Sequence, residues 1–286
     1  MASDNLRGSL WMMASMAGFA LEDGFLKAAA GVVPLGEVLL VEGLCGILWF
    51  SAMALRAGAA PLPRAVLSRT MAIRSAFEVV GRLFYALAIA LTPISVASAI
   101  LQATPLVVVP GAALLFRERV GAFRWSLILV GFLAVLLILR PGLAGFSALS
   151  LLALTGMLGF AGRDLATRAA PPVLSNAQLG VAGYCVLTTS GLLVLSVTGG
   201  LALPDAHVAL LLASSAGFGI AGYAALTRAM RTGEVSAVTP FRYSRLVFAL
   251  CVGVLAFGER PDALTLLGSA IIVTCGLALL TRKRIT

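Results

Sequence analysis

Apolar stretches of helical length recur along the whole chain, separated by short breaks rich in Pro, Gly and charge. A bilayer core takes about 20 residues of helix. The pattern therefore predicts ten spans, at about 8–27, 35–56, 70–91, 94–116 and 121–140, then about 147–168, 174–197, 207–228, 235–257 and 263–281. Connections between them are short, which leaves little room for another architecture.

The third span departs from its own pattern. It carries Arg74, Glu78 and Arg82, and a hinge is expected after it at Thr92 and Pro93. Residues four apart lie about 40° apart around a helix, so the three charges share one side and can pair along it. That side cannot face lipid, where a charge near the bilayer centre costs roughly 2.5–3.5 kcal/mol.

The two halves repeat. MAGFALEDGFLKAA at 16–29 aligns without a gap to MLGFAGRDLATRAA at 157–170, an offset of 141. The same offset carries Gly81 to Gly222, Ser95 to Ser236, Phe116 to Phe257, Glu118 to Glu259 and Arg119 to Arg260. Residues 8–21, preceded by Arg7 and followed by Ala28-Ala29-Ala30, imitate a signal peptide; the repeat makes them a retained helix instead. Five helices per copy is an odd number, so the second copy enters the membrane from the opposite side. The fold class is an all-α integral membrane protein of ten transmembrane helices in two inverted five-helix repeats, residues 1–141 and 142–286.

Composition agrees: 60% hydrophobic residues and 12% charged, against about 25% charged in a soluble domain. The net charge of +9 is read as topology, with no nucleic-acid partner. Placing the N-terminus inside puts 14 basic residues, Arg163 and Arg168 among them, at the inner helix ends and only Lys27, Arg140 and Arg260 outside. Both termini are then expected in the cytoplasm of a bacterial inner membrane.

Candidate site residues lie on the charged spans. From a start near Arg69, Glu78 is about 14 Å deep, close to the midplane, and is expected to pair with Arg74 and Arg82. Arg242 and Arg245, one turn apart after Pro240, reach a similar depth. Gln102 and Thr104 precede Pro105 at positions that the repeat relates to Tyr243 and Arg245. The substrate-binding set is thus Arg74, Glu78, Arg82, Tyr85, Gln102, Arg242, Tyr243 and Arg245, with Glu78 coupling the cycle by protonation or by exchanging between its own helix and Arg242 or Arg245. An excess of arginine over acid in this set points to a substrate with an anionic group. Glu22, Asp23 and Glu42 are expected to flank the outer mouth as gates. A bland reading of each group, as ladder, cap or packing, stands beside the functional one.

Other chemistries find no residues to carry them. His207 is the only histidine, the only lysines are Lys27 and Lys283, and Cys45, Cys185, Cys251 and Cys275 are widely spaced. This excludes a Walker loop and a zinc motif, so no cofactor or metal is expected.

ALTPISVASAILQATPLVVVPGAALLFRERV in one half and GEVSAVTPFRYSRLVFALCVGVLAFGERP in the other, with the acidic tags FRER and FGERP, resemble the EamA-type drug/metabolite transporter superfamily. The resemblance covers nearly the whole chain. It implies alternating access around a central cavity lined by helices 1–4 and 6–9, with helices 5 and 10 peripheral. It implies no single substrate: members move amino acids, vitamins such as riboflavin, related metabolites and organic cations. The leading expectation is a secondary transporter of a small organic metabolite, an amino acid derivative or a vitamin, in the lipid bilayer, with proton coupling and a homodimer as possible partners. A membrane-embedded lipid-modifying enzyme is the alternative.

Overall fold

The structure, a computed structural model, describes residues 2–91, 97, 100–118, 120–139, 149–201, 204–258 and 263–281. Thr92, Pro93, Ser95, Arg119, Arg140, Glu259, Arg260 and the basic tail Arg282-Lys283-Arg284 lie outside these residues.

Ten helices of 13 residues or more run through the described residues. They are α1 (Ala2–Ala30), α2 (Leu35–Arg56), α3 (Arg69–Leu91), α4 (Thr104–Phe116), α5 (Ala122–Leu139), α6 (Ser150–Arg168), α7 (Asn176–Thr198), α8 (Ala206–Arg231), α9 (Ser244–Phe257) and α10 (Ala263–Thr281). Most match the expected spans closely. α1 is longer at both ends, because its first turns hold Asp4 and Arg7 beyond the apolar stretch. Leu35–Arg56, Asn176–Thr198, Ala206–Arg231 and the stretch Val235–Phe257 are long and apolar enough to cross a membrane by length and composition. α1, α3 and α6 carry the interior charges that make their own stretches more polar.

α1 lies along α8, α3 along α6, α2 along α7 and α5 along α10. Adding five to each helix number exchanges the first two pairs and returns the last two to themselves. That is the packing of two halves related by a two-fold. At the equivalent crossings the backbones meet at glycine. A β-carbon on Gly18 would lie 3.0 Å from the Gly222 Cα, and one on Gly159 only 2.4 Å from the Gly81 nitrogen. Such small-residue contacts let helices pack closely where lipid removes most of the hydrophobic drive. The outside is apolar instead: Leu48, Leu114, Val197 and Leu255 are 71–86% exposed, which suits hydrocarbon and would not suit water.

Two helices are broken at places the repeat relates. The chain turns at Gln102 and Ala103 before α4, whose first turn holds Pro105. The stretch before α9 is a helical turn, Val235–Val238, then a 3-10 segment, Thr239–Tyr243, containing Pro240. Proline lacks the N–H that would continue the ladder, so each break leaves carbonyls free. α4 and α9 also end alike, on left-handed residues Arg117 (φ 53°) and Gly258 (φ 64°), 141 positions apart.

The acidic tag after α4 acquires a physical role here. Glu118 accepts the amides of Val235 and Ser236, each at 3.0 Å, which supplies acceptors to a helix start whose first N–H groups have none within the helix. Arg124 joins the same junction through Glu234 at 3.0 Å and Ser236 at 2.9 Å.

Candidate functional site

α1, α3, α6 and the broken helix bring their charges to the centre of the bundle in two layers. The first lies toward the end where α1 and α3 begin. Glu78, 0% exposed, meets Arg74 at 3.1 Å, Arg163 at 3.2 Å and the Tyr223 hydroxyl, which donates to it at 2.8 Å. Arg74 also donates to Tyr223 and, at 2.9 Å, to Thr167. Arg163 reaches Asp164 at 2.7 Å, and Asp164 holds Arg242 through its other oxygen. One buried network thus crosses α3, α6, α8 and the 3-10 segment.

The second layer holds Arg82 and Glu22 at 3.8 Å, Arg245 and Asp23 at 2.6 Å, and Glu42 against the Ser215 hydroxyl. A cavity opens at this layer. Glu22, Asp23, Arg82, Tyr85, Phe160, Arg163, Arg242 and Arg245 give it polar and aromatic walls, and Phe19, Leu26, Leu35, Leu39, Ala86 and Leu101 apolar ones. Its room for the centres of water molecules is about 50 Å³, enough for about three to five waters at roughly 10–15 Å³ each. A metabolite larger than that requires the helices to separate.

Of the residues expected at the site, Arg82, Tyr85, Arg242 and Arg245 line the cavity together with Glu22 and Asp23. Glu22 and Asp23, expected at the outer mouth, therefore line the central cavity. Arg74 and Glu78 lie behind it, in the first layer. Arg82 turns away from Glu78 toward Glu22, and Arg242 and Arg245 are held by Asp164 and Asp23, so neither is a present partner of Glu78. Gln102 is buried but faces the broken helix, with its amide 3.5 and 3.4 Å from the carbonyls of Arg242 and Tyr243. Tyr243 points at α5: its hydroxyl donates to the Ile128 carbonyl at 3.3 Å. Both side chains thus bond to backbone carbonyls of neighbouring elements and neither lines the cavity. Glu42 is buried off the cavity beside α8.

Arg163 corrects the charge count at the helix ends. It is 4% exposed inside the bundle, and its guanidinium stacks 5.1 Å over Phe160, as that of Arg245 stacks 5.3 Å over Phe19. Phe19 and Phe160 are repeat partners, and Arg163 occupies the position of Glu22 beside the repeated aspartate. That register was the available signal for both residues. With Arg163 included, the two layers hold, among the described residues, five arginines (74, 82, 163, 242 and 245) and five acids (22, 23, 42, 78 and 164). The expected excess of positive charge is therefore cancelled within the bundle. Among the described residues no three His, Cys, Asp or Glu side chains are grouped to hold a metal.

Ten helices among the described residues, with a lipid-compatible surface and ion pairs around a central cavity, have the build of a membrane-embedded protein with a polar interior. Residues 6–140 match the EamA-like transporter family. It is similar to a riboflavin transporter of Vibrio cholerae, 28% identical over 94% of this chain and 91% of that one. A pseudopaline exporter, CntI of Pseudomonas aeruginosa, is 26% identical over 93% of each chain. A solved crystal structure of 22% identity superposes with a TM-score of 0.74 over 98% of this chain and 97% of that chain, a likeness of fold.

Proposed function

We propose that the protein is a secondary transporter of the bacterial inner membrane that moves a small organic metabolite with an anionic group, by alternating access through the central cavity. Arg82 carries this reading. It lines the cavity, its nearest acid is Glu22 at 3.8 Å, and its Nε–H is buried without an acceptor among the described residues. Arg163, Arg242 and Arg245 each hold an acid at 2.7 Å or closer; Arg82 does not. Its planar donor fork suits a carboxylate, a phosphate or an ionised ring edge, and Tyr85 and Phe160 beside it offer faces to an apolar or aromatic portion. Relatives that carry riboflavin and pseudopaline support an organic metabolite, a vitamin or an amino acid derivative.

Whole protein in liposomes, screened with labelled riboflavin and a panel of labelled carboxylates and cations, tests this. We expect uptake of the transported compound to fall about tenfold or more in Arg82→Gln and to recover partly in Arg82→Lys, a loss equal to about 1.4 kcal/mol of binding. A simple cation as substrate, or wild-type uptake by Arg82→Gln, would overturn the reading.

We propose that the two repeats run α1 and α6 in opposite senses and that both termini face the cytoplasm. The basic bias supports this with one residue fewer, since Arg163 lies inside the bundle. A reporter fused at Thr286 is expected to be active only in its cytoplasmic form; periplasmic activity would reverse the topology.

A further inference from the structure

We propose that Glu42 is a proton-binding site that controls whether Arg82 is available to the cavity. The inference rests on the anion-binding reading of Arg82, and its test needs no substrate.

The Ser215 hydroxyl on α8 lies against two acceptors, Oε1 of Glu42 on α2 and the Glu22 carbonyl of α1 at 3.3 Å. A serine has one proton to give. If the Glu42 carboxyl carries a proton on Oε1, that oxygen donates to Ser215, and the serine proton goes to the Glu22 carbonyl. All three groups are then matched in direction. If Glu42 is ionised, the serine proton serves it alone, and a carboxylate 1% exposed lies without a cation in contact among the described residues. An unpaired charge at that depth is far more costly than a neutral carboxyl.

Unused bonding capacity around the group has the same sense. Oε2 of Glu42, the Tyr184 hydroxyl on α7 and the Nε of Arg82 on α3 are all buried with no hydrogen-bond partner among the described residues. Tyr184 is 1% exposed, and Glu22, Arg82 and Glu42 are among the charges that act on it. The other titratable or charged groups around Glu42 are Glu22 and Asp23 on α1, Arg245 on α9, Tyr223 on α8 and Cys45 on α2 itself. Two acids and one arginine next to the pair leave no surplus cation to neutralise Glu42. Among the described residues no three His, Cys, Asp or Glu side chains are grouped to hold a metal.

The step is an O–H cleavage alone. The proton leaves Glu42 for a water molecule that reaches it when the helices separate, the electron pair remains on the carboxylate, and the new charge attracts the loosely held guanidinium of Arg82 away from Glu22 and the cavity. A protonated Glu42 releases Arg82 to an anion. Anion and proton therefore favour each other's binding, and the two move together in the same direction.

Infrared difference spectroscopy of the whole protein in liposomes, between acidic and alkaline buffer and without substrate, reads the step directly. We expect a protonated-carboxyl band that is lost at alkaline pH, is missing in Glu42→Gln, and shifts in frequency in Ser215→Ala. A guanidinium feature should accompany it and be absent in Arg82→Lys. An unchanged band in Glu42→Gln overturns the proposal, as does its removal by sodium ions at constant pH, which would make this a sodium site. Should Glu42→Gln fail to insert, the Ser215→Ala spectrum decides, because an unshifted band places the proton elsewhere. Arg82→Gln losing uptake while the band is unaffected by Glu42→Gln would leave the anion reading standing and this one overturned.

Discussion

Glu78→Gln is expected to destabilise the bundle by about 3–5 kcal/mol, the range for removing one side of a buried ion pair. The substitution keeps shape and one hydrogen-bonding oxygen, yet it deletes the charge between Arg74 and Arg163, both 4% exposed or less. Two guanidiniums and the Tyr223 hydroxyl then share a neutral amide in a region with little water. Denaturant unfolding in mixed micelles, followed by circular dichroism, measures the loss. Pairing Glu78→Gln with Arg163→Gln should return part of it, as expected of residues in one network. A loss below about 1 kcal/mol would mean that water reaches this layer and that it does not seal the bundle.

Gly159→Ala is expected to abolish transport, because its new methyl group has no space to enter. The β-carbon would stand 2.4 Å from the Gly81 nitrogen, 2.7 Å from its Cα and 2.9 Å from the Phe77 carbonyl. These are backbone atoms, which cannot swing aside as a side-chain end can. Overpacking commonly costs about 1–3 kcal/mol, and here relief requires α6 to move off α3. Arg163 and Asp164 lie one turn further along α6, so their contacts with Glu78 and Arg242 separate with it. Gly217→Ala is the control: its β-carbon would meet nothing within 4 Å, and uptake should stay within about twofold of wild type, under 0.5 kcal/mol. Equal behaviour of the two variants would show that the crossing tolerates separation.

The helices were readable because a bilayer dictates their length, and the repeat was readable because one register held across both halves. The breaks were readable too, from Pro105 and Pro240. What failed was the direction of individual side chains. Arg163 lies five residues from the end of α6, close enough in sequence to count as an end charge, and only its packing turns it inward. Gln102 and Tyr243 were expected at the cavity for their depth; their angular position instead takes them to the carbonyls of the broken helix and to α5. Arg82 was expected to continue the ladder from Glu78, but Glu78 is saturated by Arg74, Arg163 and Tyr223, two of them from other helices. Sequence spacing supplies neighbours on one helix, whereas burial lets the nearest partner come from any helix. The pairing of Glu42 with Ser215 joins positions 173 apart and had no signal in the chain.

The arginines of the broken helix bear on how such a protein avoids leaking. Arg242 and Arg245 are one turn apart on a single element, and they hold the two repeat-related aspartates, Asp164 on α6 and Asp23 on α1. Tilting that element toward one half draws it from the other. Opening one side can therefore be met by a tighter grip on the opposite side, whereas a continuous pore would have to release both aspartates at once and strand four charges inside the bundle. The penalty falls on the short circuit and spares the working cycle.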